Sequence, residues 1–186
     1  MDFNKHTNLI GSHAFLSPSN NAWVNYDEDK LDRTYVAAMA AKRGTDLHNL
    51  ARDLIRLGVK LPSSSKTLNL YVNDAIGYRM TPEQTLYYSP NCFGTTDTIS
   101  FRRSMLRIHD LKTGITPSSP VQVKVYAALF CLEYRMRPFD IKMELRLYQS
   151  DDIHVVEPDP DEIFHIMDRI VTFDKRINAI REEAQQ

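Results

Sequence analysis

Two aspartates sit inside otherwise apolar or β-branched segments. Asp97 lies in Phe93-Gly94-Thr95-Thr96-Asp97-Thr98-Ile99-Ser100, and Asp110 in Leu106-Arg107-Ile108-His109-Asp110-Leu111-Lys112-Thr113-Gly114. If these segments pair as a hairpin around a two-residue loop, Arg103-Ser104, Asp97 falls directly opposite Asp110. Opposed residues of that kind hold their Cβ atoms about 4.5–5.5 Å apart, so two carboxylates there repel unless something neutralises them. A divalent cation is the natural neutraliser, because hard ions such as Mg²⁺ and Mn²⁺ take oxygen ligands, keep several waters and need few protein groups. Strand periodicity puts Lys112 on the face of Asp110 and His109 on the other. The chemistry open to such a set is metal-assisted hydrolysis, with Lys112 orienting a water or helping to deprotonate it. Read alone, the pair leaves a second account open, strand-end acids that are solvated or in surface ion pairs. Arg-Ser is also not a favoured two-residue hairpin turn, although a loop one residue longer would still leave the acids close.

Four further features border this pair. His48 in Arg43-Gly44-Thr45-Asp46-Leu47-His48 stands one turn inside a helix, as a ligand or as an ordinary surface or core histidine. Gln122 and Tyr126 are four apart and share one helix face, which is also an ordinary amphipathic pattern. Arg102 and Arg103 fall at the hairpin tip, suited to gripping a phosphate backbone or simply forming a solvated turn. Glu83 is either an acid standing behind the site or part of a Thr81-Pro82-Glu83 turn, and the turn is favoured.

The elements that must position these residues follow from periodicity and punctuation. A short helix is expected to start at Ser17-Pro18, with the hydroxyl as cap and Pro in the first turn. Residues 27–57 have a helical pattern, with Gly44 separating two helices and Gly58 ending the second. Another helix is expected over 65–78, then three strands at 85–88, 93–101 and 105–111. Ser118-Ser119-Pro120 opens an apolar helix running to about Arg135. Residues 139–149 alternate as a strand with one buried face, and 153–156 form a short final strand. After the acidic break Glu157-Pro158-Asp159-Pro160-Asp161, Ile163 to Ile177 recur at helical spacing, a stripe expected to pack on the core in preference to a neighbouring subunit. The order predicts an α+β fold, a small mixed sheet flanked by helices, with N-terminal helices and a C-terminal helix.

Composition narrows the classes. A chain of 186 residues with 42% hydrophobic and 25% charged residues fits one folded domain, with a core about 15–149 and an acidic linker and helix over 150–186. The longest apolar run, Val125 to Leu132, is far short of the roughly 20 residues that span a bilayer. With no basic, then apolar leader at Met1-Asp2-Phe3-Asn4-Lys5-His6, a cytoplasmic location and no membrane partner are expected. Cys92 and Cys131, with no Cys-x-x-Cys pair, give neither a disulfide framework nor a zinc ribbon. A net charge of −1 removes the whole-chain argument for nucleic-acid binding. Residues 102–146 nevertheless hold nine basic against four acidic residues, whereas 151–162 are acidic throughout their charged positions.

Taken together and in order, these pieces resemble the RecB-like branch of the PD-(D/E)xK nucleases, a family that includes phage and CRISPR-associated exonucleases. Leu16-Ser17-Pro18-Ser19 with Trp23 resembles its Ser-rich entry, and Gly44-Thr45-x-x-His48 its Gly-x-x-x-His motif. Gly94-Thr95-Thr96-Asp97 resembles its first acidic strand. Asp110-Leu111-Lys112-Thr113-Gly114 is similar to its Asp-x-Lys-Thr-Gly core, and Gln122-x-x-x-Tyr126 to its Gln-x-x-x-Tyr signature. The resemblance covers about Phe15 to Gln149 and implies a restriction-endonuclease-like core. It further implies that His48, Asp97, Asp110 and the Leu111 carbonyl bind Mg²⁺ or Mn²⁺, that Lys112 is the catalytic lysine, and that Gln122 and Tyr126 brace the site and contact DNA. Two cysteines are too few for the iron-sulfur cluster some members carry, so none is expected. The activity implied is hydrolysis of DNA phosphodiesters without sequence preference and from strand ends, in phage or mobile-element recombination or repair. A homo-oligomer or a recombination partner protein is compatible with this. The rival reading is a catalytically silent relative that binds DNA ends or a partner protein.

Overall fold

A computed structural model of the chain describes residues 5–9 and 11–184. They fall into two compact units, 1–43 and 44–186, whose boundary lies within one long helix. In the first unit, short 3-10 helices cover Thr7–Leu9 and Asn21–Asn25. The helix expected at Ser17-Pro18 is replaced by local capping. The Ser17 hydroxyl accepts from the Ser19 N–H at 3.4 Å, and its carbonyl accepts from the Trp23 indole at 3.0 Å. Asp27 then starts helix α1 (Glu28–Leu57) by accepting from the Lys30 N–H at 2.7 Å.

α1 is one helix, not two. An interior glycine costs only about 1 kcal/mol relative to alanine, too little to break a helix whose packing demands one. Gly44 is buried, so its missing side chain is a packing requirement and not a stop signal. The expected stop at Gly58 is present: φ is +67°, the Gly58 N–H donates to Ile55 O and the Val59 N–H to Leu54 O.

The second unit continues with α2 (Thr67–Gly77), β1 (Thr81–Ser89), β2 (Cys92–Arg102), β3 (Met105–Leu111), α3 (Val121–Glu133), β4 (Lys142–Gln149), β5 (Asp152–Val156) and α4 (Pro160–Glu183). The strands form one sheet in the order β1-β2-β3-β4-β5. All neighbours are antiparallel except β3 and β4, which are parallel and joined through α3. The architecture is α+β with a mixed sheet, as expected. Residues 81–83, expected as a turn, belong to β1; Pro82 is tolerated because β1 is an edge strand.

The β2–β3 loop is Arg103-Ser104, closed by the pair Arg102↔Met105. Both loop residues take positive φ, 49° and 57°, as a turn matched to strand twist requires. The register runs through Phe101↔Leu106, Ile99↔Ile108 and Thr98↔His109, placing Asp97 and Asp110 one step beyond the last of these pairs.

Two cores cover the two faces of the sheet. Leu106, Ile108, Leu145 and Leu147 pack with Val123, Ala127 and Phe130 of α3 and Ile163 of α4. Leu111 and Tyr148 pack with Ala51 and Ile55 of α1 and Tyr71, Val72 and Ala75 of α2. β4 therefore has both faces covered, not one, because Tyr148 is as buried as Leu145. Asp159 caps α4, accepting from the Asp161 N–H at 2.9 Å. Ile163 then joins the first core fully buried, a side chain of that size contributing roughly 1.5–3 kcal/mol, and Ile166, Met167 and Ile170 pack against it half-buried. Further along, Phe173, Ile177 and Ile180 of the same stripe are exposed. Among the described residues no helix is long and apolar enough to cross a membrane.

Candidate active site

At the C-terminal end of β3, Asp110 is 3% exposed and Lys112 leaves the sheet beside it. The Lys112 ammonium is 2.9 Å from Asp110 Oδ2 and donates to Gln122 Oε1 of α3 at 2.7 Å. The Gln122 amide reaches the Tyr126 hydroxyl at 3.4 Å, and that hydroxyl donates to the Thr95 carbonyl of β2 at 2.7 Å. Two residues beyond Thr95, Asp97 Oδ2 accepts the Leu111 N–H at 2.8 Å and lies 3.4 Å from His48 Nδ1 of α1. His48, Asp97, Asp110, Leu111, Lys112, Gln122 and Tyr126 thus form one connected set drawn from α1, β2, the end of β3, and α3. Leu111 contributes its N–H to Asp97, while its side chain is in the core beneath α1 and α2.

Arg102 and Arg103 are not part of this set. They are exposed at the hairpin tip, and Arg102 is five residues along β2 from Asp97, about 17 Å at strand rise.

Two glycines explain how α1 and α3 come this close. A Cβ on Gly44 would stand 2.7 Å from Thr113 Oγ1, in the loop after Lys112. A Cβ on Gly94 would stand 3.0 Å from Tyr126 Cε1. The first glycine lets the helix carrying His48 lie against the Lys112-Thr113 segment, and the second lets Tyr126 reach over β2. Each belongs to a segment singled out in the sequence, and its physical role there is close approach.

Asp97 also marks an irregularity in the sheet. The β1–β2 pairs Pro82↔Thr98 and Gln84↔Thr96 flank it, and Glu83, across from it, has φ of 54°. The register is the same on both sides of this position, so no extra residue is inserted. Glu83 therefore sits within β1 at the level of Asp97, although its carboxylate is exposed.

Burial pushes the Asp110 carboxyl up to about 6, with the nearby Asp97 charge acting in the same direction and Lys112 and His48 opposing it. His48 is raised above the ordinary histidine value, chiefly by its hydrogen bond with Asp97. Asp110 Oδ2 is buried, and the Lys112 ammonium stands 2.9 Å from it. A buried carboxylate beside a second carboxylate is an environment a divalent cation relieves. No three His, Cys, Asp or Glu side chains are gathered as a metal cage among the described residues. Mg²⁺ needs none, since it is commonly held by one or two carboxylates plus substrate phosphate and water. The donor set fits such an ion.

Five of the nine basic residues over 102–146, Lys112 among them, are engaged in ion pairs within the protein. Arg107 pairs with Glu144, Lys124 with Glu162, Arg137 with Asp140, and Arg146 with both Asp74 and Glu144. Two members of the site had no side-chain signature in the sequence, the Thr95 carbonyl and the Leu111 N–H, because both are backbone groups. Comparison with protein-family models, curated proteins and solved structures finds no match to this chain.

Proposed function

We propose that this chain is a Mg²⁺- or Mn²⁺-dependent deoxyribonuclease of the RecB-like PD-(D/E)xK kind, acting on DNA ends as an exonuclease in phage or mobile-element recombination or repair. The observation that carries the reading is the placement of Lys112 between Asp110 and Gln122, in a set that also gathers Asp97, His48 and Tyr126. Residues separated by up to 64 positions have no packing reason to assemble two acids, a histidine and a lysine at one strand end.

In this reading Asp97, Asp110 and His48 would hold the cation, with the Leu111 carbonyl beside them. Bound there, it would supply Lewis acidity and lower the pKa of water. Lys112 stabilises negative charge developing on the phosphate and positions the attacking water. Gln122 fixes the Lys112 ammonium, and Tyr126 anchors α3 to β2 through Thr95. Nothing in the set reads a base edge, which favours sequence-independent action through phosphates and ends.

The test is degradation of end-labelled single- and double-stranded linear DNA beside a covalently closed circle, with Mg²⁺ or Mn²⁺. Digestion of linear DNA alone, reduced at least about 100-fold by Lys112→Ala, is expected from removing a transition-state charge partner. Cutting of circles would make the enzyme an endonuclease. DNA binding without cleavage under either metal would overturn the enzymatic reading in favour of the silent relative.

A further inference from the structure

The segment after Lys112 leads into a feature the catalytic reading does not use. Ile115 is 92% exposed, the most exposed large apolar side chain among the described residues. A lone exposed isoleucine is ordinary, but this one is held in place by a neighbouring strand. The Gln149 amide of β4 donates to Gly114 O at 2.6 Å and Thr116 O at 2.7 Å, and its carbonyl accepts the Ser118 N–H at 3.0 Å. One side chain therefore clamps the backbone on both sides of Ile115. Three such bonds to an exposed loop are a structural outlay that presents, and does not bury, an apolar group.

Ile115 borders a cavity of about 220 Å³ that also has Leu47, Leu68, Leu111, Lys112 and Ser150 in its walls. The far wall is equally fixed. The β4–β5 turn at Ser150-Asp151 is tied to the start of α2, where Asp151 Oδ1 accepts from the Thr67 N–H and hydroxyl at 2.8 and 3.1 Å. Its own N–H donates to the Thr67 hydroxyl at 2.7 Å. The α2 N-terminus and the Thr67 hydroxyl are thereby occupied, so the cavity offers a ligand mainly aliphatic surface and a lysine at its edge.

We propose that this cavity takes a nucleobase of the DNA strand whose phosphate lies at Lys112, with Ile115 packing on the base. The inference rests on the nuclease reading for its choice of strand. An apolar slot beside a phosphate-positioning lysine matches one nucleotide, whose base is flat and largely apolar on its faces and whose backbone is anionic. Contact with a base face also tolerates any sequence, because every base has one. Leu47 and Leu68 also line the cavity, and Gln149 is the positioning residue that keeps Ile115 in place.

The test is a coupling measurement by fluorescence anisotropy in excess EDTA, which removes metal-dependent cleavage as a variable and keeps Lys112 in the cavity wall. Binding of a short single strand is compared with binding of the same strand made wholly of abasic nucleotides, for the parent and for Ile115→Ala. Ile115→Ala should raise Kd roughly five- to tenfold on the base-bearing strand, as loss of one packed aliphatic side chain predicts, and leave the abasic strand unchanged. Gln149→Ala should reproduce part of that loss on the same strand only. Equal loss on both strands, or no loss on either, would overturn the proposal. Coupling in a protein that never cleaves DNA would keep the base site and reject the nuclease reading, so the two fail separately.

Discussion

Residues 109 and 110 are neighbours on β3, yet their side chains enter opposite faces of the sheet and meet opposite fates. His109 faces α2, where Tyr148 contacts its Nδ1 at 3.2 Å and donates to Asp74 at 2.7 Å. Arg146 reaches Asp74 at 2.8 Å and the Tyr78 hydroxyl at 2.9 Å, and it shares Glu144 with Arg107. Both guanidinium groups lie over the Tyr78 ring. Burial, with Arg146 and Arg107 adding to it, pushes His109 down to about 3, so it stays neutral. Asp110, facing α3, is pushed up to about 6 by burial and by the neighbouring Asp97 charge, against the opposing Lys112 and His48. On the α2 side most partners are in place, the histidine Nε2 being the exception among the described residues. On the α3 side two carboxylates, a histidine and a lysine stand together at one strand end, the set that our proposal assigns to a cation. The same strand thus carries a neutral, buried histidine on one face and a raised, buried acid on the other.

The sharpest way to break the contrast is to damage the α2 side. Asp74→Ala removes the shared acceptor of Tyr148 and Arg146 and should cost about 2–3 kcal/mol in urea unfolding. Cleavage per folded molecule should stay within about threefold of the parent, since the network faces away from the site. A variant of parental stability, or one folded but inactive, would show that the two faces are not separate in the way described.

A smaller effect, with the opposite sign, is expected across the sheet. Because the folded-state value of Asp110 is raised, its contribution to stability is fully present below about pH 4 and is lost as pH rises through about 6. Asp110→Asn should therefore stabilise the metal-free protein at pH 7 by roughly 1–3 kcal/mol and make little difference at pH 4. His109 runs the other way: its depressed value gives a contribution present above the ordinary histidine range and lost as pH falls toward 3. Thermal unfolding of parent and variant between pH 4 and 8 checks this. A destabilised Asp110→Asn at pH 7 would mean that the Lys112 pair outweighs the desolvation of the acid.

The site was more legible in the sequence than its supports. Asp97, Asp110 and Lys112 carry their own signal, acids within apolar strands at spacing that a hairpin register converts into proximity, and the register holds despite a loop of unfavoured composition. Arg103 and Ser104 adopt the left-handed region that such a loop needs, which composition alone argued against. Gly44 shows the reverse case. A glycine in a helical pattern reads as a break, but here it is the contact point of α1 with Thr113, and only tertiary packing distinguishes the two. The α2-side network is not legible because Asp74, Tyr78 and Arg107 come from other parts of the chain, while Glu144, Arg146 and Tyr148 share a strand face that alternation reads as the solvent side. The one local hint was two charged residues, Glu144 and Arg146, on what looked like the solvent face of β4. Gln149 was likewise read only as a strand end, since its three bonds go to backbone atoms more than 30 residues away. The charge count over 102–146 overstated the free basic surface because it could not see which charges pair.

The central claim is that the α3-side acids, and not the α2-side one, form a divalent-cation site. Mn²⁺ titration followed by electron paramagnetic resonance tests it directly on the parent, Asp97→Asn and Asp74→Asn. A saturable site in the parent, weakened at least about tenfold by Asp97→Asn and retained in Asp74→Asn, is the predicted result. Equal binding by the parent and Asp97→Asn, or loss of binding in Asp74→Asn alone, would contradict it.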